Sequence, residues 1–213
     1  MDFPGTLSVL ELCGGLGTAS LAAGWLLGAD RVRLAGYWDM DANLRPVLES
    51  AHGRGNLALH VGKVDGDLMR PRFDEFPSAN VVVAGPPCPP FSSMGVKSGL
   101  RDRRARPFYR TLDIIAHLAK RTKKKASSPL LFFVIENVEG VLSRASGPGS
   151  ARHLDSLISH LQELLPQGWS VSYDIANTCD FGLPHHRRRV YLVGRNCDYF
   201  PAWPPAGLCH FTG

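Results

Sequence analysis

Along the chain, short runs rich in β-branched and other apolar residues alternate with longer stretches whose apolar positions recur every three or four residues. The runs at 6–12, 32–38, 57–61, 80–84, 130–135, 170–175 and 189–193 are predicted as strands. Helices are predicted at 18–28, 44–51, 109–121 and 154–165. The third carries Leu112, Ile115, Ala116 and Ala119 at helical spacing. The fourth carries Leu154, Leu157, Ile158, Leu161, Leu164 and Leu165, with Pro166 just beyond it. Strands that alternate with helices predict an α/β fold around a parallel sheet. Residues 143–150 read as a loop and no internal repeat is visible. Residues 1–198 form one predicted domain and 199–213 an irregular tail rich in proline and glycine.

Composition changes this picture little: 44% hydrophobic and 20% charged residues suit an ordinary globular domain with a sizeable core. No apolar run is long enough to span a bilayer, and the first residues lack the pattern of a secretory signal. The expected location is therefore intracellular, nuclear in a eukaryote and cytoplasmic in a bacterium. Cys13, Cys88, Cys179, Cys197 and Cys209 are odd in number and form no Cys-x-x-Cys pair. That argues for a reducing compartment and against a disulfide framework or a metal site, the adjacent Cys209-His210 included. Charge is more informative. The net +5 is gathered in a lysine-rich block at 120–125, five arginines within 101–110, and Arg187-Arg188-Arg189. Such clusters are compatible with a phosphate-bearing partner. The lysine block reads equally as a solvated loop or a nuclear import signal.

Candidate chemistry begins at Gly85-Pro86-Pro87-Cys88-Pro89-Pro90-Phe91-Ser92, directly after the apolar run at 80–84. Proline fixes its own φ and drives the preceding residue to extended geometry, so the backbone aims the Cys88 thiol. Loops at the carboxyl ends of strands are where open α/β sheets place their sites. On these residues alone, Cys88 is either a nucleophile or a buried cysteine in a rigid turn. A second candidate is Cys13-Gly14-Gly15-Leu16-Gly17, between the first strand and first helix, with Asp39 at the end of the second strand. Glycines there permit close backbone approach at a helix amino end, and the acid can accept from ribose hydroxyls. The pattern fits a dinucleotide and S-adenosylmethionine equally.

Pro87-Cys88, Glu136-Asn137-Val138 and Pro184-His185-His186-Arg187-Arg188-Arg189 follow the glycine turn in order. With this ordered set the chain resembles the cytosine-5 DNA methyltransferase family from about Val9 to Gly194. The resemblance implies a Rossmann-like, S-adenosylmethionine-dependent methyltransferase fold with a mostly parallel seven-stranded sheet flanked by helices. It implies methyl transfer to carbon-5 of cytosine in DNA, with the base flipped out of the duplex. Cytosine carbon-5 is a poor nucleophile, so a thiolate must first add to carbon-6, the role implied for Cys88. Glu136 would protonate or hydrogen-bond ring nitrogen 3. Arg187 and Arg189 would hold the glutamate and the cytosine carbonyl oxygen, on one side of a strand with Arg188 on the other.

The same resemblance places Cys13, Gly15, Leu16 and Gly17 around the methionine end of the cofactor, Asp39 on its ribose and Met40 on its adenine. Asp67 of Gly66-Asp67-Leu68 would reach the adenine amino group, with Asp65 a nearby competitor, and Pro87 would border the cofactor. On the substrate side stand Pro87, Ser92, Asn137 as the residue holding the Cys88 loop, and Arg104 within a loop that closes over DNA. Two positions depart from the family: Pro89 and His185 each replace a usual glutamine, and neither removes a reacting group. Members also usually continue into a target-recognition region and a returning segment that completes the cofactor pocket. The expectation is that another region or a partner chain supplies them. The competing readings are the same chemistry on structured RNA such as tRNA, and a regulatory scaffold. An NAD-dependent dehydrogenase has no need of Pro87-Cys88.

Overall fold

The computed structural model describes residues 5–52, 58–87, 105–122, 128–144 and 150–201. Cys88, Ser92 and Arg104, residues 123–125 of the lysine block and the tail from 202 onward lie outside the described residues. The elements are β1 (Leu7–Leu12), α1 (Thr18–Leu27), β2 (Val32–Asp39), α2 (Arg45–His52), β3 (Leu59–Val61), β4 (Val81–Ala84), α3 (Arg106–Thr122), β5 (Phe132–Val138), α4 (His153–Leu164), β6 (Trp169–Asn177) and β7 (Arg188–Asn196). The strands form one seven-stranded sheet in the order β3-β2-β1-β4-β5-β7-β6. β3, β2, β1, β4 and β5 run parallel, and β7 lies antiparallel to both β5 and β6. The strand order reverses direction between β1 and β4, the place where open α/β sheets open a crevice at their carboxyl ends.

The sheet is covered unequally. On one face, Leu10, Leu12, Val82, Ala84, Phe133, Ile135, Val190 and Leu192 pack with α3 and α4 in the main core. The other core cluster is small, with Tyr37, Leu48, Leu59 and Val61 beneath α2. α3 departs from the single apolar stripe that its spacing predicts. Phe108, Leu112, Ile114, Ile115, Ala116, Leu118 and Ala119 are all buried, because the helix lies between the sheet, α4 and the segment after β3. Burying a side chain of Leu, Ile or Phe size is worth roughly 1.5–3 kcal/mol, so α3 is a principal anchor of the sheet.

Two residues of the basic clusters serve this packing. The Arg110 guanidinium lies 3.9 Å over the Phe73 ring and donates to the carbonyls of Leu68 (3.1 Å) and Pro71. Arg121 Nη1 donates to the Phe76 carbonyl at 2.9 Å. Neither guanidinium is simply displayed to a phosphate, as their clustering in sequence suggests. They pin residues 68–76 to α3, and cross-chain carbonyls of this kind carry no signal in the sequence.

Candidate active site

The turn after β1 is held from below. Buried Glu11, the penultimate residue of β1, accepts at Oε1 from the Ser20 N–H (2.9 Å) and hydroxyl (2.5 Å). This satisfies one of the free amides that every helix start leaves, in α1 where no side chain of the capping residue does so. Tyr37, across from Glu11 in the β1–β2 register, donates its hydroxyl to the Gly15 carbonyl. Burial first, and then the charges of Asp39 and Glu11, push its phenol upward and keep it a proton donor. A Cβ on Gly14 would overlap the Tyr37 ring, and Gly17 sits at φ 68° against Leu48. Gly15, at φ 58°, has open space where its Cβ would stand.

Asp39 closes the same turn. Its Oδ2 accepts from the Gly15 N–H and its Oδ1 from the Asp41 N–H, each at 3.0 Å. Each carboxylate oxygen keeps a further lone pair for an external donor. Leu16 and Met40 flank it, 57% and 52% exposed, the two large apolar side chains displayed at this end of β1 and β2. Gly66 approaches so closely that a Cβ would overlap the Asp39 carbonyl oxygen, which brings Gly66-Asp67 beside β2. The Asp67 carboxylate accepts from the Met69 N–H at 3.0 Å and lies 3.6 Å from Arg70 Nε. Asp65 is engaged elsewhere, 2.8 Å from His60 Nδ1, whose ring stacks on Trp38.

Cys13 takes a left-handed conformation at φ 51°, rare for a residue with a side chain. Burial, aided by the Asp39 charge, pushes its thiol up to about 12, so Cys13 stays protonated and lines the turn without acting as a nucleophile. Its carbonyl oxygen lies 3.2 Å from where a Gly85 Cβ would stand, and Glu136 Oε2 lies 4.0 Å from the same point. The parallel pairing of Leu12 with Ala84 and of Ala84 with Ile135 therefore brings three motifs to one spot. Buried Asn137 donates from Nδ2 to the Pro86 carbonyl at 3.1 Å and accepts from the Val138 N–H at 3.0 Å. It holds the backbone two residues before Cys88, and Pro87 is exposed beyond that anchor.

The arginine motif meets the acid across β5 and β7. Val138 pairs with Arg189, Asn137 with Val190, and Glu136 with Tyr191. Arg189 Nε lies 2.9 Å from Glu136 Oε1 in an ion pair, with these side chains 19% and 34% exposed. Arg188 turns the other way, its Nη2 lying 3.1 Å from Glu139 Oε1. Tyr191, which the sequence reading passed over, stands on the Glu136 face. Burial and the Glu136 charge push its phenol upward, while Arg189 and Arg187 act against them. Strand alternation thus sets Arg189 and Tyr191 on the side of one carboxylate, and Arg187 stands just before the strand. Among the described residues no group of three or more His, Cys, Asp or Glu side chains is arranged to hold a metal ion. No helix there is long and apolar enough to cross a membrane.

Known proteins share this fold. The structure resembles the S. pombe Dnmt2 methyltransferase, with a TM-score of 0.59 and 19% identity, covering 89% of this chain and 49% of that one. It resembles the Entamoeba histolytica methyltransferase EhMeth with a TM-score of 0.56 at 16% identity, over 89% and 53% of the two chains. These likenesses show a methyltransferase fold. In sequence, the chain is 28% identical over 186 residues to the type II methyltransferase M.NlaX of Neisseria lactamica, covering 87% of this chain and 51% of that protein. It is 32% identical over 143 residues to M.MthTI of Methanothermobacter thermautotrophicus, covering 67% and 38%. The chain thus spans about half or less of the length of these relatives. The pattern of the C-5 cytosine-specific DNA methylases matches residues 7–205, and the chain belongs to that family.

Proposed function

We propose that this chain carries the catalytic half of an enzyme that transfers a methyl group from S-adenosylmethionine to carbon-5 of cytosine in DNA, through a covalent bond between Cys88 and carbon-6. The observation that carries the reading is the convergence of Gly85, Glu136 and Arg189 at the carboxyl ends of β4, β5 and the start of β7. The Cys88 thiolate adds to carbon-6, its electron pair becoming the sulfur–carbon bond while the displaced carbon-5–carbon-6 π pair makes carbon-5 nucleophilic. Glu136, held at Oε1 by Arg189, stands where a carboxyl group can support ring nitrogen 3 as that pair shifts. Arg187 supplies a fixed positive charge for the carbonyl oxygen. After transfer, a base takes the carbon-5 proton, the electrons return through the ring and the Cys88 sulfur leaves.

The residues after β1 and β2 fit the cofactor. Gly15 leaves open space at its Cβ position, Asp39 keeps acceptor capacity for ribose hydroxyls, and exposed Leu16 and Met40 offer apolar contacts. When bound, S-adenosylmethionine supplies an electrophilic methyl group on its sulfonium sulfur. Cys13, Gly17, Asp67 and Pro87 complete this side, and Ser92, Arg104 and Asn137 the DNA side. The partner in this reading is DNA.

A mechanism-based trap tests the reading. The full-length protein containing this chain is incubated with S-adenosylmethionine and duplex DNA or RNA carrying 5-fluorocytosine, whose fluorine blocks the final elimination. A denaturation-resistant adduct on DNA is expected, and it should vanish in Cys88→Ser. An adduct on RNA alone would replace the substrate, and no adduct on either would favour a scaffold.

A further inference from the structure

The side chains that act on a base need a backbone that holds them still, and the stretch before β7 is exposed over 182–187. Asn177, the last residue of β6, supplies much of that hold. Its Oδ1 accepts from the Arg187 backbone N–H at 3.0 Å, and its Nδ2 faces His186 Nδ1 at 3.2 Å. A backbone N–H can only donate, so the oxygen of the Asn177 amide must face Arg187. The amide's NH2 group is left toward His186. That group also only donates, so in this contact His186 Nδ1 is the acceptor. The next residue adds two bonds: Thr178 Oγ1 donates to the His185 carbonyl at 2.6 Å and the Thr178 N–H to the Arg187 carbonyl at 3.3 Å. Cys179 Sγ and Asp180 complete the surroundings, with Sγ 3.5 Å from both His186 Nδ1 and Asp180 Oδ1.

We propose that Asn177 is a positioning residue for Arg187: its amide clamps the Arg187 backbone and the neighbouring His186 ring, so that the guanidinium is aimed at the face of the sheet that carries Glu136. Arg189 needs no such clamp, because it lies within β7 and is ion-paired with Glu136. Arg187 precedes the strand, and its direction depends on how residues 185–187 are held. A misplacement of about 1 Å at a catalytic contact can cost on the order of a hundredfold in rate.

This inference rests on the role proposed above for Arg187, and a double-mutant cycle separates the two. Single-turnover methyl transfer at saturating DNA and cofactor is measured for Asn177→Ala, Asn177→Asp, Arg187→Ala and the double variant Asn177→Ala/Arg187→Ala, in the full-length protein. Asn177→Ala should slow transfer about tenfold or more with cofactor affinity unchanged. The double variant should be no slower than Arg187→Ala alone. Asn177→Asp, which still accepts from the Arg187 N–H, should recover most of the rate. Losses that multiply in the double variant, or a full rate in Asn177→Ala, overturn the proposal, as does a full rate in Arg187→Ala. Amide hydrogen exchange gives a second readout that does not depend on turnover. The Arg187 amide should be protected in the wild type and in Asn177→Asp, and released in Asn177→Ala while β7 from Val190 onward stays protected. Equal exchange in all three overturns the clamp even if the protein transfers no methyl group.

Discussion

The turn after β1 and the arginine stretch before β7 sit at the same end of the sheet and are built on opposite plans. The turn is fixed by the fold itself. Gly14, Gly17 and Gly66 have no room for a Cβ, and buried Glu11 and Tyr37 bond its backbone from beneath. The arginine stretch is exposed and is tied by the side chains of Asn177 and Thr178. The difference follows from what each would meet. A small ligand of fixed shape is served by a rigid cradle of main-chain groups, whereas a polymer must be met by long charged side chains that start in water. Stability should therefore be concentrated in the first region and chemistry shared with the second.

Breaking the cradle should have the largest effect. In Gly66→Ala the new methyl group would overlap the Asp39 carbonyl oxygen, and backbone cannot rotate aside as a side chain can. We expect a loss of about 3 kcal/mol or more, a fall in Tm of roughly 6–12 °C for a domain of this size. Removing support without adding bulk should cost less. Glu11→Ala leaves the Ser20 N–H and hydroxyl buried without their acceptor, and about 2–3 kcal/mol should be lost in urea denaturation. Glu11→Gln, which keeps an oxygen at that place, should recover part of it. If Gly66→Ala melts like the wild type, the cradle is not fixed by close approach.

The elements were legible where periodicity decides them. Each predicted strand and helix has its counterpart. β5 exceeds its predicted end at 135 and runs on to Val138. Glu136 and Asn137 are poor strand formers, and it is the β7 pairing of Val138 with Arg189 that keeps them extended. The candidate site was legible as motifs and their order. What supports it was not. Tyr37 reaches the glycine turn only through the β1–β2 register, which shifts between Val9 and Leu10, and such shifts leave no pattern in one sequence. Gly66 looked like a neighbour of Asp67, and its own contact with Asp39 appears only in three dimensions. Arg110 and Arg121 were indistinguishable from the other basic residues until their carbonyl partners were in place.

The smallest effect should come from Arg188, and it sharpens the comparison most. Arg188 lies between two arginines given catalytic roles, yet alternation turns it to Glu139, in an ion pair whose side chains are 54% and 42% exposed. Water screens such a pair and two long side chains must be held in place to form it, so Arg188→Ala should change stability by no more than about 0.5 kcal/mol. The transfer rate at saturating DNA should stay at the wild-type level, whereas Arg189→Ala, which strips Glu136 of its ion-pair partner, should fall by about a hundredfold. Any loss in Arg188→Ala should appear instead in DNA affinity, with the salt dependence of binding reduced by about one phosphate contact. A slowed saturating rate in Arg188→Ala would mean that the side of the strand does not decide which arginine acts on the base, and the division between a fixed cradle and an aimed arginine face would fail with it.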